Sequence, residues 1–186
     1  MEVKLQDIEL FCLENIAWFL ALFFYIAFAI VTPSVLRFEM ALFMIWSVVP
    51  LGFLVLAESI CLITGNMDLS IGAVTGFVGT TAGFLLAANK GLPPYLAILV
   101  PIGFGMLCGA ANGFLIGPME FNPFLVTLGS LMVFTGGRFL VYKGPIEGRD
   151  LPKLYLWLGG DPIVAILSFI LVLGCFSFVL KYTPLG

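Results

Sequence analysis

The chain has no histidine, which removes the side chain most used to move protons near neutral pH and one of the commonest metal ligands. Charge is also scarce: 10% of the 186 residues are charged and the formal net charge is −3. No basic surface is therefore available for nucleic acid, and no such partner is expected. Cysteine is sparse and scattered. Cys12, Cys61, Cys108 and Cys175 lie far apart in apolar surroundings without a C-x-x-C pair, so they read as small hydrophobic residues rather than metal or redox ligands. No nucleophile with a paired base and no G-x-x-x-x-G-K-[ST] loop occurs, so neither covalent catalysis nor nucleotide chemistry is expected in this chain.

Apolar residues are abundant, at 61% of the sequence. Cut at its charges, the chain leaves uncharged stretches at Asn15–Leu36, Met40–Ala57, Leu69–Asn89, Gly91–Met119, Phe121–Gly137 and Pro162–Leu180. A bilayer's hydrocarbon core takes about 20 helical residues to cross, so each stretch is near spanning length. None alternates polar and apolar residues as a barrel strand does. The expectation is an all-α polytopic membrane protein, a single domain over residues 1–186, with about six proline-interrupted spans and tight small-residue packing. A cleaved leader is disfavoured, because Glu2, Asp7, Glu9 and Glu14 precede the first apolar run against Lys4 alone, whereas a secretory leader begins basic.

Helix boundaries follow from proline and glycine. The first span runs from about Phe11 to Val31 and stops at Thr32-Pro33-Ser34, since the residue before proline resists the helical conformation. The second begins near Met40, passes Pro50 and Gly52, and ends near Ile63. The third opens at or just after Asp68 and ends at Asn89-Lys90-Gly91, before Pro93-Pro94; the fourth covers about Tyr95 to Gly117 and contains Pro101. Asn122-Pro123 and Asp161-Pro162 each set a capping residue before a proline suited to the first helical position, and they open the fifth and sixth spans. The longest polar connection, Lys143 to Gly160, carries Tyr155 and Trp157, residue types that favour the headgroup zone.

Four features carry possible function. The turn Thr64–Gly72 puts Asp68 between two apolar segments: Gly65 and Asn66 suit a left-handed helix end, and Asp68 or Ser70 a cap for the next helix. It is either a capped surface bend or a break inside the membrane whose polar groups line a cavity. Glu58, deep in an apolar run, is either an intramembrane functional carboxylate or is wetted at an interface. Asn112, among glycines and alanines, lines a polar path or glues helices together. Gly105, Gly109, Gly113 and Gly117 form a ladder at every fourth residue, and Gly72 and Gly76, with Gly79 and Gly83, repeat that spacing. These glycines provide either close helix packing or a sliding, pore-lining surface.

Three ordered motifs resemble a known family. Gly65-Asn66-Met67-Asp68-Leu69-Ser70-Ile71-Gly72, Ala111-Asn112-Gly113-Phe114-Leu115-Ile116 and Asn122-Pro123-Phe124-Leu125-Val126-Thr127-Leu128-Gly129 are similar, in order and spacing, to the permease subunits of ribose-type ABC sugar importers. The likeness extends from the second span nearly to the end. It implies an inner-membrane permease that forms the translocation path by alternating access and pairs with a second permease subunit as a homo- or heterodimer. It further implies an extracytoplasmic sugar-binding protein that delivers solute and a cytoplasmic ATPase that drives transport. ATP would be used by that partner, and no cofactor is expected here. Carried over residue by residue, Asn66, Asp68, Ser70, Asn112, Asn122 and Thr127, with Glu58 nearby, would line or support the path.

The chain departs from the family at two places. The connection Gly117-Pro118-Met119-Glu120-Phe121 lacks the family's basic residues, and Arg37, Lys90, Lys143, Arg149 and Lys153 fall on the side opposite Lys4 and Lys181. The charge rule alone would put that side in the cytoplasm. The resemblance instead implies a cytoplasmic amino terminus and an outward Lys143–Asp161. The ending Lys181-Tyr182-Thr183-Pro184-Leu185-Gly186 resembles the entrance to the ATPase-contacting segment, so the sequence reads as an amino-terminal portion, unable to couple ATP hydrolysis without a complementary piece. Two other readings stand beside the importer: an ion- or proton-coupled secondary transporter using Glu58 and Asp68, and a non-transporting membrane assembly fragment.

Overall fold

The computed structural model describes residues 11, 13–89, 92–93, 95–141, 144 and 147–183. Lys4, Cys12, Lys90, Gly91, Pro94, Lys143 and the final motif residues 184–186 lie outside that set. The described residues form seven α-helices and no strand: α1 Ile16–Val31, α2 Phe38–Ile63, α3 Ile71–Ala88, α4 Leu96–Ile116, α5 Pro123–Val141, α6 Lys153–Gly160 and α7 Pro162–Tyr182. Five of them, α2, α3, α4, α5 and α7, are long and apolar enough to cross a membrane. At 16 residues α1 is shorter than the first expected span: it stops at Val31 before the 3-10 segment Pro33–Leu36, as expected, but begins at Ile16 rather than near Phe11. Pro50 and Pro101 lie inside α2 and α4.

The chain divides into two compact units, Met1–Ile45 and Trp46–Gly186. In the first, α1 packs on the 3-10 turn that follows it. In the second, α3 is central, packing most extensively on α5 and next on α4, while α4 also meets α5 and α6, and α6 meets α7. Its apolar window is 22% buried, against 6–11% for the other spans. Val78, Ala82 and Leu86, one turn apart, form its inner stripe beside Thr81 and Gly83. The Thr81 hydroxyl is the one buried side-chain polar atom without a partner among the described residues.

The α3–α5 contact is close because side chains are missing where the helices meet. A Cβ on Gly137 would lie 3.2 Å from the Phe77 ring, and one on Gly76 would lie 3.2 Å from Arg138 Nη1. Phe77 also rests on Phe134, with centroids 5.4 Å apart. Ser70 stands level with Ser130, and Phe77 with Phe134 and Gly137, so α3 and α5 run parallel while α4 returns antiparallel between them. The later part of α2 packs on α7 the same way: the Phe169 ring occupies the place of a Gly52 side chain, 2.8 Å from where a Cβ would sit. Phe169 meets Phe53 edge-on, and the Trp46 indole N–H donates to the Gly159 carbonyl at 2.9 Å.

Both proline-marked starts are capped. Asn122 Oδ1 accepts the Phe124 N–H at 2.9 Å, and Asp161 Oδ1 accepts those of Ile163 and Val164 at 2.9 and 3.0 Å. Each satisfies amides that a helix start leaves unpaired. Within the long polar connection, Gly148–Asp150 forms a 3-10 turn and α6 a short helix carrying Tyr155 and Trp157. Large apolar side chains such as Leu107, Leu140 and Leu171 point outward along the spans, a surface matched to lipid tails or further helices rather than to water.

Candidate functional site

The polar site begins where α2 ends. Gly65 adopts φ +76°, the left-handed conformation that favours glycine. The Asn66 N–H then reaches the Cys61 carbonyl at 2.9 Å and the Gly65 N–H the Leu62 carbonyl at 3.0 Å, a paired closure that ends a helix cleanly. The chain emerges at Met67 and Asp68. The Asp68 N–H donates to Glu58 Oε1 at 3.3 Å, so the acid near the end of α2 holds the outgoing segment of the break.

Asp68 organises the start of α3. Its Oδ1 accepts the Ser70 N–H at 2.7 Å and the Ser70 hydroxyl at 2.6 Å. Sequence allowed either residue to act as the cap; neither side chain bonds an amide of α3 itself, since Asp68 takes the N–H of Ser70 just before the helix and the Ser70 hydroxyl is committed to Asp68. Ser70 is fully buried. Its oxygen accepts from Asn112 Nδ2 at 3.0 Å, and Asn112 Oδ1 accepts from the Ser130 hydroxyl at 2.5 Å. Thus Asp68, Ser70, Asn112 and Ser130 form one hydrogen-bonded chain joining the break to α4 and α5.

Its direction is fixed by chemistry. A carboxylate only accepts, so the single Ser70 proton goes to Asp68, and Ser70 can then only accept from the Asn112 amide nitrogen. That turns the amide oxygen toward Ser130, which must donate. Every proton points toward the negative charge, an arrangement in which successive bonds polarise one another. In a low-dielectric interior such a chain is stabilising only when complete, since an unpaired polar group there costs about 1–3 kcal/mol.

The end of the break at Ser70 is level with the body of its neighbours. Ser130 stands about two turns into α5, roughly 10 Å along the helix from Pro123. Asn112 stands about one turn before the end of α4, roughly 6 Å. Measured against those helices, Ser70 lies inward of the ends of α4 and α5, while Thr64, Gly65 and Met67 just before it are exposed.

The remaining expected residues divide. Thr127 is buried at 1% exposure on α5, its hydroxyl turned to the Phe124 carbonyl at 3.4 Å. Asn66 lies beside the chain but bonds only within its own turn, to Thr64. Asn122 is exposed and serves as the α5 cap. The ladder on α4 meets no neighbour: a Cβ at Gly105, Gly109 or Gly113 would touch nothing within 4 Å, and at Gly117 only the helix's own Gly113 carbonyl. Gly72 is likewise open, whereas Gly76 makes room for Arg138. Among the described residues the close glycine contacts are at Gly52, Gly76 and Gly137, so of the periodic glycines Gly76 meets a neighbouring helix while the α4 ladder does not.

Ser130 and Arg138 were not singled out from the sequence. Ser130 lies one turn beyond Thr127 on the same helix, but a pair of hydroxyls at i, i+3 does not by itself mark a site, and only the contact with Asn112 does so. Arg138, in the last turn of α5, sets its guanidinium over Phe139 at 4.9 Å and beside Gly76. A cation there complements the carbonyl end of the helix and adds to the charge beside the Lys143–Gly160 connection.

Two cavities flank the site. One of about 590 Å³ lies between the end of α4 and α5, with Glu120, Asn122, Gly129 and Ser130 on its wall. The other, about 360 Å³, is a half-open pocket among α2, α3, α6 and α7 beside Trp46, Pro50 and Phe53. Its hydroxyls, Thr75 and Ser168, are spent on carbonyls of their own helices.

Five long apolar spans in an all-helical chain, with a polar turn hydrogen-bonded between α3, α4 and α5, define an α-helical multi-pass membrane protein. Residues 40–186 match the family described as branched-chain amino acid transport system / permease component, and the chain belongs to that family. It is similar to the autoinducer 2 import system permease protein LsrD of Escherichia coli K12, at 33% identity over 138 residues, 74% of this chain and 40% of the relative. LsrD of Shigella flexneri matches to the same extent. LsrD of Salmonella paratyphi A is 31% identical over 143 residues, 77% of this chain and 41% of its own length. The chain therefore spans about two fifths of the curated relatives it matches. No solved structure matches. The family and the five spans make it a multi-pass protein of the inner membrane.

Proposed function

We propose that this chain forms part of the translocation path of an ABC importer, as a permease subunit for a sugar such as ribose or a related monosaccharide. The observation that carries the reading is the hydrogen-bonded chain from Asp68 to Ser130, buried at Ser70 and Asn112, in a member of a transport permease family. A path of amide, hydroxyl and backbone groups suits a neutral polyol, because polar groups find partners along it while no net charge needs compensation. Alternating access would repack α3 against α4 and α5, driven by differential binding of the ATPase to the two states.

The partners under this reading are a second permease subunit, a cytoplasmic ABC ATPase that uses the ATP, and an extracytoplasmic sugar-binding protein. The open glycine face of α4 supports contact with helices outside this chain. The amino terminus would be cytoplasmic and Lys143–Asp161 outward. Uptake of labelled ribose by the assembled transporter is the test: Asp68→Ala should lower it about tenfold or more while the subunit still inserts, given the cost of freeing Ser70 and Asn112. Unchanged uptake would remove the break from the path. Uptake that survives loss of the ATPase and collapses with the proton gradient would favour a secondary transporter using Glu58 and Asp68.

A further inference from the structure

The cavity between the end of α4 and α5 has a polar wall whose donors and acceptors can be assigned. The Ser130 hydroxyl gives its only proton to Asn112, so what it offers the cavity is a lone pair, made more negative by the run of bonds leading to Asp68. Asn122 spends its oxygen on the Phe124 N–H, which leaves its amide hydrogens to donate. Glu120 brings a carboxylate that makes no ion pair among the described residues, and it is the one described non-glycine residue with a left-handed backbone, at φ +57°. Such strain costs of order 1 kcal/mol and persists where surrounding structure demands it. Gly129, with nothing within 4 Å of a Cβ position, opens the floor between them.

These groups select a ligand class. The volume, about 590 Å³, is that of a largely open groove in which Glu120, Asn122, Leu125 and Gly129 are exposed, large enough to take a small molecule against its polar wall. Two acceptors and one donor on a wall otherwise made by Leu115, Leu125 and Val126 match hydroxyl groups, which give and accept from one atom. An acyl chain would leave the Ser130 oxygen and the Asn122 amide without partners. A carboxylate ligand would meet Glu120 and find no lysine or arginine among the described lining residues. Resting on the permease reading above, we propose that this cavity is a subsite for a neutral, hydroxyl-bearing solute of monosaccharide size. Ser130 and Glu120 accept from its hydroxyls, and Asn122 donates to one of them. Asp68, Ser70 and Asn112 do not touch the solute; they orient Ser130.

A reporter in the open floor tests this. Gly129→Cys, in the full chain with its four native cysteines replaced by alanine and held in lipid nanodiscs, is labelled with a maleimide with and without D-ribose. At about ten times its Kd, D-ribose should leave roughly a tenth of the sites open and slow labelling about tenfold. Ser130→Ala should abolish that protection at the same concentration. Labelling unaffected by D-ribose, or slowed equally by the zwitterion L-valine, overturns the proposal. Should Gly129→Cys fail to accumulate, Leu125→Cys on the exposed wall gives the same readout. Ribose uptake by the assembled transporter separates the two readings: normal uptake without protection removes the subsite alone, and absence of ATP-driven uptake removes both.

Discussion

At the residue scale, the central feature is that Asn112 serves two hydroxyls at once. Replacing it with alanine leaves the Ser130 hydroxyl without its acceptor and Ser70 with only its bond to Asp68, whereas Ser130→Ala leaves only the amide oxygen short of a partner. Asn112→Ala should therefore cost about 1–2 kcal/mol in reversible detergent unfolding and Ser130→Ala about half as much, since hydrogen bonds between membrane helices are modest. The double mutant should cost less than the sum, because the two share one bond. Additive values would mean the chain is not a connected unit. Asp68 and Asn112 were legible in the sequence, since an acid or an amide stands out in an apolar run. Ser130 was not, because one hydroxyl among leucines and valines means nothing until the parallel α3–α5 register sets it level with Ser70.

At the element scale, small residues play two different parts. Gly52 faces the Phe169 ring, so Gly52→Val should push that ring off Phe53 and cost about 1–3 kcal/mol, read as a loss of thermal stability in detergent. Gly109 faces open space on α4. Gly109→Ala should leave the fold intact and stabilise the helix by about 1 kcal/mol, while Gly109→Leu should weaken co-purification with a second permease subunit. Equal co-purification of the two variants would remove that face from the interface. The caps show how much local chemistry declares: Asn122 and Asp161 before prolines fixed two helix starts correctly. Helix α6 was not foreseen, because eight residues are too few for periodicity to separate a helix from a polar loop. The ladder shows the opposite limit, in which spacing reveals a stripe but says nothing of what lies across from it.

At the scale of the whole molecule, span count and topology rest on different evidence. Length and apolarity alone define the spans, and five reach full length. Orientation depends on few charges, and Arg138 adds a cation on the side that the charge rule would assign to the cytoplasm. The family resemblance puts that side outward. Glu147→Cys, exposed in the connection before α6, should thus react with an impermeant maleimide added outside intact cells, in a chain with its native cysteines replaced. Reaction only after permeabilisation would invert the topology and put the proposed binding-protein surface in the cytoplasm.

A connection lying within the membrane would also change the membrane's electrical geometry. If water follows the chain inward to Ser70, the transmembrane voltage falls mainly across the length of α3, about 27 Å of helix. Asp68 would then sit near the potential of the adjoining aqueous phase, sparing most of the roughly 2.3 kcal/mol per 100 mV that a charge feels across a full bilayer. An uncharged solute released at that point would have the shorter remaining distance to travel and no voltage to oppose it.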